Sequence, residues 1–215
     1  MFGVLKELSK QANVLGLYRD QEYCETDPTF LLKKSQHSLN NVWNEIALQI
    51  QKEYGNQDAS KNQKVFIANA GQGYLIHHLK EMGFNDVLGI DLQRDFIEHF
   101  QKSCPTYRLS ASVQNFFRYK DTELGVFDTF IFSKILEYVD DPLSYVNRVP
   151  KGKKIVITFP NFDDGLVLRY FENEPLIRNF FKDMIDIQDM KTINLFINHE
   201  FLIDQRMYVL SGLKL

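Results

Sequence analysis

KVFIANAGQGYLIHHL (residues 64–79) changes character twice within one short run. Lys64 to Ala68 is a lysine followed by apolar residues without polar alternation, the pattern of a strand buried on both faces. Gly71 and Gly73 then make a tight turn, and Tyr74 to Met82 reads as the helix that leaves it. Glycine is expected there because a side chain would block close approach of the backbone or forbid a positive φ. Strand, glycine turn and helix together open a parallel α/β unit.

Working outward, the same order repeats. DVLGID (86–91) is a second strand followed by a helix from Gln93 to about Ser103. TYRLSAS (106–112) and FDTFIFS (127–133) are further strands, DPLSYVNRV (141–149) a further helix, and KKIVITFPN (153–161) a fifth strand. Strands alternating with helix-length segments imply a doubly wound, Rossmann-like α/β sheet. TINLFIN (192–198) and RMYVLSGLKL (206–215) are two more strand-like runs. Their link is shorter than the dozen or so residues a parallel return needs, so a seven-stranded sheet with its last strand antiparallel is expected.

Upstream, residues 1–55 read as a helical N-terminal cap. Phe2, Leu5 and Leu8 share one face, and Leu39, Val42, Trp43, Ile46, Ala47 and Ile50 share another. The polar run GNQDASKNQK joins this cap to the core, which spans 56–215 within a single compact domain.

With 215 residues, 44% hydrophobic and 25% charged, the chain has the balance of a globular domain and not of a disordered one. A net charge of −3 without blocks of like charge gives no electrostatic footprint for nucleic acid. Cys24 and Cys104 lack CxxC spacing, which fits a reducing compartment, so the cytoplasm is expected. No export signal or membrane-spanning run is read in the sequence.

In a doubly wound sheet the ligand lies beyond the C-terminal ends of the strands, where strand order reverses. Asp91 ends the second strand eighteen residues after Gly73, the spacing at which an acid accepts hydrogen bonds from a ribose diol. As the residue before a helix it could equally be an N-cap; the glycine turn upstream favours the ribose. A nicotinamide site ranks lower, since its G-x-G-x-x-G fingerprint would need glycine where Ile76 stands.

From Lys64 to about Asp164 the chain resembles the core of a class I S-adenosylmethionine-dependent methyltransferase of the kind that modifies small molecules. KVFIANAGQG sits in the frame of the family's first motif, with Ile67, Asn69, Gly71 and Gly73 at its four key places. Gly89-Ile90-Asp91 matches the ribose motif. Phe127-Asp128 and the run from Ile135 to Pro142 resemble the fourth motif and the loop after it, and Thr158-Phe159-Pro160-Asn161 the end of the fifth strand. The resemblance implies S-adenosyl-L-methionine as cofactor, held by Gly71, Gly73 and Asp91 with Asn69, Ala70, Leu92, Ser112, Val113 and Ser133 as neighbours. Three positions depart from the family pattern, the mildest being Asn69 in place of the first glycine, since Asn tolerates left-handed conformations. Ile67 replaces the acid that organises the methionine end of the cofactor, and Ser112 replaces the acid near the adenine amino group. A protein that keeps the fold for binding or assembly without catalysis is therefore the alternative.

Methyl transfer asks the protein to align the acceptor and, for a hydroxyl or amine, to remove a proton. The acceptor is expected over the fourth and fifth strand ends, between Ser133 and Asp141 and between Pro160 and Asp164. Tyr138 stands where many of the resembled proteins carry histidine, and an ordinary phenol, with a pKa near 10, is a poor base at neutral pH. Glu137 reads as solvent-facing. Tyr138 and His199 are the weak catalytic candidates, and no residue is assigned as the base. His77 and His78 are adjacent on one helix, so they diverge and do not form a ligand pair; like His37 and His99 they read as surface or packing residues. No metal motif or GxSxG turn is present in the sequence. The aromatics Tyr170, Phe171, Phe180 and Phe181, with Leu166 and Leu168, are expected either to cover a small, partly apolar acceptor or to contact a second copy in a homodimer. Tyr18, Tyr23 and Phe30 form the second expected cover.

Overall fold

The computed structural model describes residues 41–52, 61–161, 168, 171–194 and 206–215. Its centre is a seven-stranded sheet: β1 (Lys64–Ile67), β2 (Asp86–Asp91), β3 (Ala111–Val113), β4 (Thr129–Phe132), β5 (Lys154–Pro160), β6 (Ile185–Asn194) and β7 (Arg206–Lys214). The order is β3-β2-β1-β4-β5-β7-β6, with β7 antiparallel to both of its neighbours and the pairings among β1 to β5 all parallel. Strand order reverses between β1 and β4. The Rossmann-like architecture with its antiparallel last strand is the one the sequence implies.

Alternation along the strands divides the core in two, because successive side chains of a strand point to opposite faces. Phe66, Phe130, Phe132, Ile155, Ile157 and Phe159 face one layer, formed by the short helix α4 (Asp121–Leu124), α5 (Pro142–Asn147) and α6 (Glu174–Phe181). Val65, Ile67, Ile131 and Val156 face the other, formed by α1 (41–51), α2 (Tyr74–Glu81) and α3 (Arg94–Ser103). On α1 the expected apolar face is the buried one, at Val42, Ile46, Ala47 and Ile50.

Three readings are corrected. Most of TYRLSAS, expected to be strand, is a 3-10 helix (Pro105–Ser110) opened by a proline, and the third strand is only Ala111–Val113. The sixth strand begins at Ile185, seven residues before the expected run, so IDIQDM is strand and not part of a covering loop. Alternation there is interrupted by a bulge between Ile187 and Asp189, which hides the period of two from the sequence. Of the aromatics expected to cover a ligand or a second copy, Phe171 and Phe181 are core residues. Phe159 meets Phe171 edge to face at 5.0 Å and packs at a tilt on Phe181 at 5.8 Å, so closing the sheet face beneath α6 claims these rings. Leu166, Tyr170 and the cap residues up to 40, with Tyr18, Tyr23, Phe30 and Cys24, lie outside the described residues. Among the described residues no helix is long and apolar enough to cross a membrane.

A buried polar clasp docks α1 on the β6–β7 hairpin. Gln49, almost fully buried, donates from Nε2 to Glu45 at 2.6 Å and to Asp189 at 2.9 Å, and its Oε1 accepts from the Ser211 hydroxyl at 2.5 Å. Lys52 pairs with the same Asp189 carboxylate. The Lys52 hydrogen bond holds the Asp189 carboxyl below its ordinary value of 3.8. Its contribution is therefore present above pH 3.8 and is lost as pH falls through the lowered value. Gln49→Ala strands the buried Ser211 hydroxyl without its acceptor. We expect a loss of about 2 kcal/mol, seen as a fall in melting temperature of about 6 °C; a change within 1 °C would show the clasp to be idle.

Candidate functional site

The turn after β1 is built by the backbone. Ala68 N–H bonds Ile131 carbonyl at 3.1 Å, Ala70 N–H bonds Ile90 carbonyl at 2.9 Å, and Gly73 N–H returns to Ala70 carbonyl at 2.9 Å. Gly71 (φ 53°) and Gly73 (φ 79°) both occupy the left-handed region. Their roles differ. Among the described residues a Cβ on Gly71 would find no atom beyond its chain neighbours within 4 Å, whereas one on Gly73 would lie 2.2 Å from the Phe100 ring of α3. Gly71 thus offers open backbone to a ligand, and Gly73 is small so that α2 can start against α3. Gly89 serves packing too, since a Cβ there would come within 2.4 Å of Ile76 and 2.7 Å of Ala70.

Asp91, 5% exposed at the end of β2, ties this turn to the sheet. Its Oδ2 accepts from Gly71 N–H at 2.9 Å and its Oδ1 from Gln93 N–H at 2.8 Å. Desolvation raises its pKa above 3.8, opposed by the backbone N–H groups of Gln93, Gly71 and Leu92. A carboxylate has about four acceptor positions, so about one remains beyond these three backbone bonds. Beside it on the sheet, Val113 of β3 pairs in register with Asp91, and Gln114 N–H bonds Asp91 carbonyl at 3.0 Å. Ser112, one residue earlier, is level with Ile90 and lies on the opposite face of the strand from Val113. Leu92 is 64% exposed. Gly71, Asp91, Leu92 and Val113 therefore gather at one edge of the sheet.

Across the strand-order reversal stands the end of β4. Asn69 Nδ2 donates to Lys134 carbonyl at 3.2 Å, joining the two sides. Lys134 has φ 53°, the one non-glycine residue with positive φ among those described. Its N–H bonds Thr158 Oγ1 at 3.2 Å, and that hydroxyl donates to Ser133 Oγ at 3.4 Å. A left-handed lysine costs about 1 to 2 kcal/mol, which these contacts offset. No sequence signal marks this strain, because lysine carries no preference for it. Ile67 is fully buried among Leu75, Ile76 and Ile131 and contributes only packing.

Glu137 is 1% exposed, in a 3-10 turn after β4, where the sequence reading has it facing solvent. The turn folds it inward, and Leu168 N–H bonds its carbonyl at 2.8 Å. Tyr138 is 39% exposed. His199 lies outside the described residues. His77 is exposed, 3.9 Å from Glu81, while half-buried His78 bonds Asn44 at 3.0 Å and packs on Trp43. Desolvation lowers the His78 pKa.

No family model and no curated protein sequence matches the chain. Solved structures do match in shape. Magnesium protoporphyrin IX methyltransferase from Synechocystis PCC 6803, with bound S-adenosylhomocysteine, superposes with a TM-score of 0.65 at 14% identity, over 96% of this chain and 97% of that one. The 1,6-didemethyltoxoflavin-N1-methyltransferase of Burkholderia thailandensis, bound to its namesake and S-adenosylhomocysteine, gives 0.63 at 12% identity, over 95% and 89%. The [4+2]-cyclase SpnF gives 0.57 at 12%, over 71% and 75%. At such identities the likeness is one of fold. Strand order and the antiparallel last strand are those of the Rossmann-like fold shared by class I S-adenosylmethionine-dependent methyltransferases.

Proposed function

We propose that the chain binds S-adenosyl-L-methionine and transfers its methyl group to a small-molecule acceptor. The observation that carries this reading is the bond from Gly71 N–H to Asp91, which sets an open backbone turn beside a carboxylate with an acceptor position to spare where strand order reverses. Asp91 would take the ribose hydroxyls, Gly71 the backbone approach, and Val113 an apolar edge of the adenine. Neighbours of this fold crystallised with S-adenosylhomocysteine support the choice of cofactor. The cofactor supplies a methyl group already activated on sulfur, so the chain's own part is to bind, align and exclude water.

Calorimetric titration with S-adenosylmethionine and S-adenosylhomocysteine tests the reading. Micromolar binding is expected, weakened roughly 10- to 100-fold in Asp91→Ala, as loss of charge-assisted hydrogen bonds implies. Circular dichroism checks that the variant is folded. Because desolvation raises the Asp91 pKa, protonation should begin to weaken binding above pH 3.8 as the pH is lowered. No binding at millimolar concentration by folded protein would sink the proposal.

A second reading, a binding module that does not transfer methyl groups, rests on Ile67, whose side chain offers the cofactor no polar atom. Tight cofactor binding with no transfer from labelled methyl donor across an acceptor screen would favour it.

A further inference from the structure

The two ends of the crevice are unlike in charge. At the β2 end Asp91 supplies buried negative charge fixed by backbone N–H groups. At the β1–β4 end Ile67 is fully buried and apolar, and Asn69 spends its amide on the carbonyl of Lys134. Lys134 is an exposed, charged side chain at this end, and among the described residues no carboxylate pairs with it. Glu137, the nearest acid along the chain, is turned into the protein.

The lysine is also held there against its backbone preference. Its left-handed conformation is fixed from both sides, by Thr158 at its N–H and by Asn69 at its carbonyl, and Thr158 is itself fully buried. Glycine would satisfy that geometry without strain. A strained residue that its surroundings over-determine, exposing a cation at the end of β4, points to a role for the side chain.

Resting on the adenosyl-binding reading above, we infer that the site grips the amino-acid tail of the adenosyl ligand by its α-carboxylate, through Lys134, and makes no ion pair with the α-ammonium. Ile67 offers an ammonium no negative partner, and Lys134, tied by its backbone to Asn69, exposes a positive charge at the neighbouring end of β4. Recognition of the tail is thereby transferred from one of its charges to the other.

Four defined probes test this on the whole chain by calorimetry: S-adenosylhomocysteine, its analogue lacking the α-amino group, its analogue lacking the α-carboxylate, and 5′-methylthioadenosine, which has no tail. Removing the amino group should change Kd by less than about 3-fold, and removing the carboxylate should weaken binding about 10-fold or more. Lys134→Met should abolish the difference while leaving 5′-methylthioadenosine unchanged. Lys134→Gly should do the same and raise the urea midpoint, since it relieves the left-handed strain. A deaminated analogue weakened 10-fold, or both tails weakened equally, with 5′-methylthioadenosine still bound, overturns this inference alone. Failure of all four probes to bind overturns it together with the adenosyl reading.

Discussion

Replacing Gly73 by alanine should cost about 3 kcal/mol of stability, while the same change at Gly71 should cost about 1 kcal/mol and act on ligand binding instead. At Gly73 two penalties combine. The backbone at φ 79° disfavours any Cβ, by about 1 to 2 kcal/mol. The new methyl would also lie 2.2 Å from Cδ2 of Phe100, a ring that is 1% exposed, and overpacking a closed core adds about 1 to 3 kcal/mol. At a slope near 2 to 3 kcal/mol/M, the urea midpoint should fall by about 1 M. Phe100→Leu removes the obstructing ring edge, so Gly73→Ala should cost at least about 1 kcal/mol less in that background. Additivity of the two changes would refute the steric account. At Gly71 only the conformational penalty applies, because among the described residues no atom beyond its chain neighbours lies within 4 Å of the new methyl. A Gly71→Ala protein that is stable but binds adenosyl compounds as well as wild type would mean that the ligand does not approach this turn.

Phe66→Ala should be the most damaging single change, at about 4 kcal/mol. Phe66 has no exposed surface, and its ring meets Phe116, Tyr119, Phe127 and Phe130 with centroids 4.9 to 5.7 Å apart. Truncation leaves a cavity between the sheet and the helical layer that β4, hydrogen-bonded alongside, cannot collapse to fill. Since a domain is stabilised by only about 5 to 15 kcal/mol in total, a large part of the margin would go. Phe66→Leu, which keeps most of the volume, should cost about 1.5 kcal/mol. Equal urea midpoints for the two variants would contradict the cavity argument.

Function and stability are interleaved along β1 and its turn. Phe66 and Ile67 are neighbours in sequence but fill opposite layers, and Gly71 and Gly73 are two residues apart but answer to a ligand crevice and to Phe100 respectively. Substitutions in this stretch need a stability measurement beside every binding measurement. Asp91 shows the same coupling, since the carboxylate proposed to bind ribose also accepts the Gly71 N–H that shapes the turn.

The sequence by itself determined the doubly wound order, the antiparallel end of the sheet, the apolar face of α1, and the pairing of a glycine turn with Asp91. These are legible because they rest on local signals: apolar runs, periodicity, turn residues and fixed spacing. Only the tertiary structure decided what depends on contacts between distant segments. It separated the two glycines, since Phe100 is remote in sequence from Gly73. It moved the start of β6 to Ile185, since a bulge breaks the alternation that would mark it. It turned Glu137 inward and claimed Phe171 and Phe181 for the core, because the sheet face beneath α6 must be closed. It also fixed Lys134 in a left-handed conformation through Asn69 and Thr158, residues 65 and 24 positions away. Local propensity cannot encode a geometry that such distant partners impose.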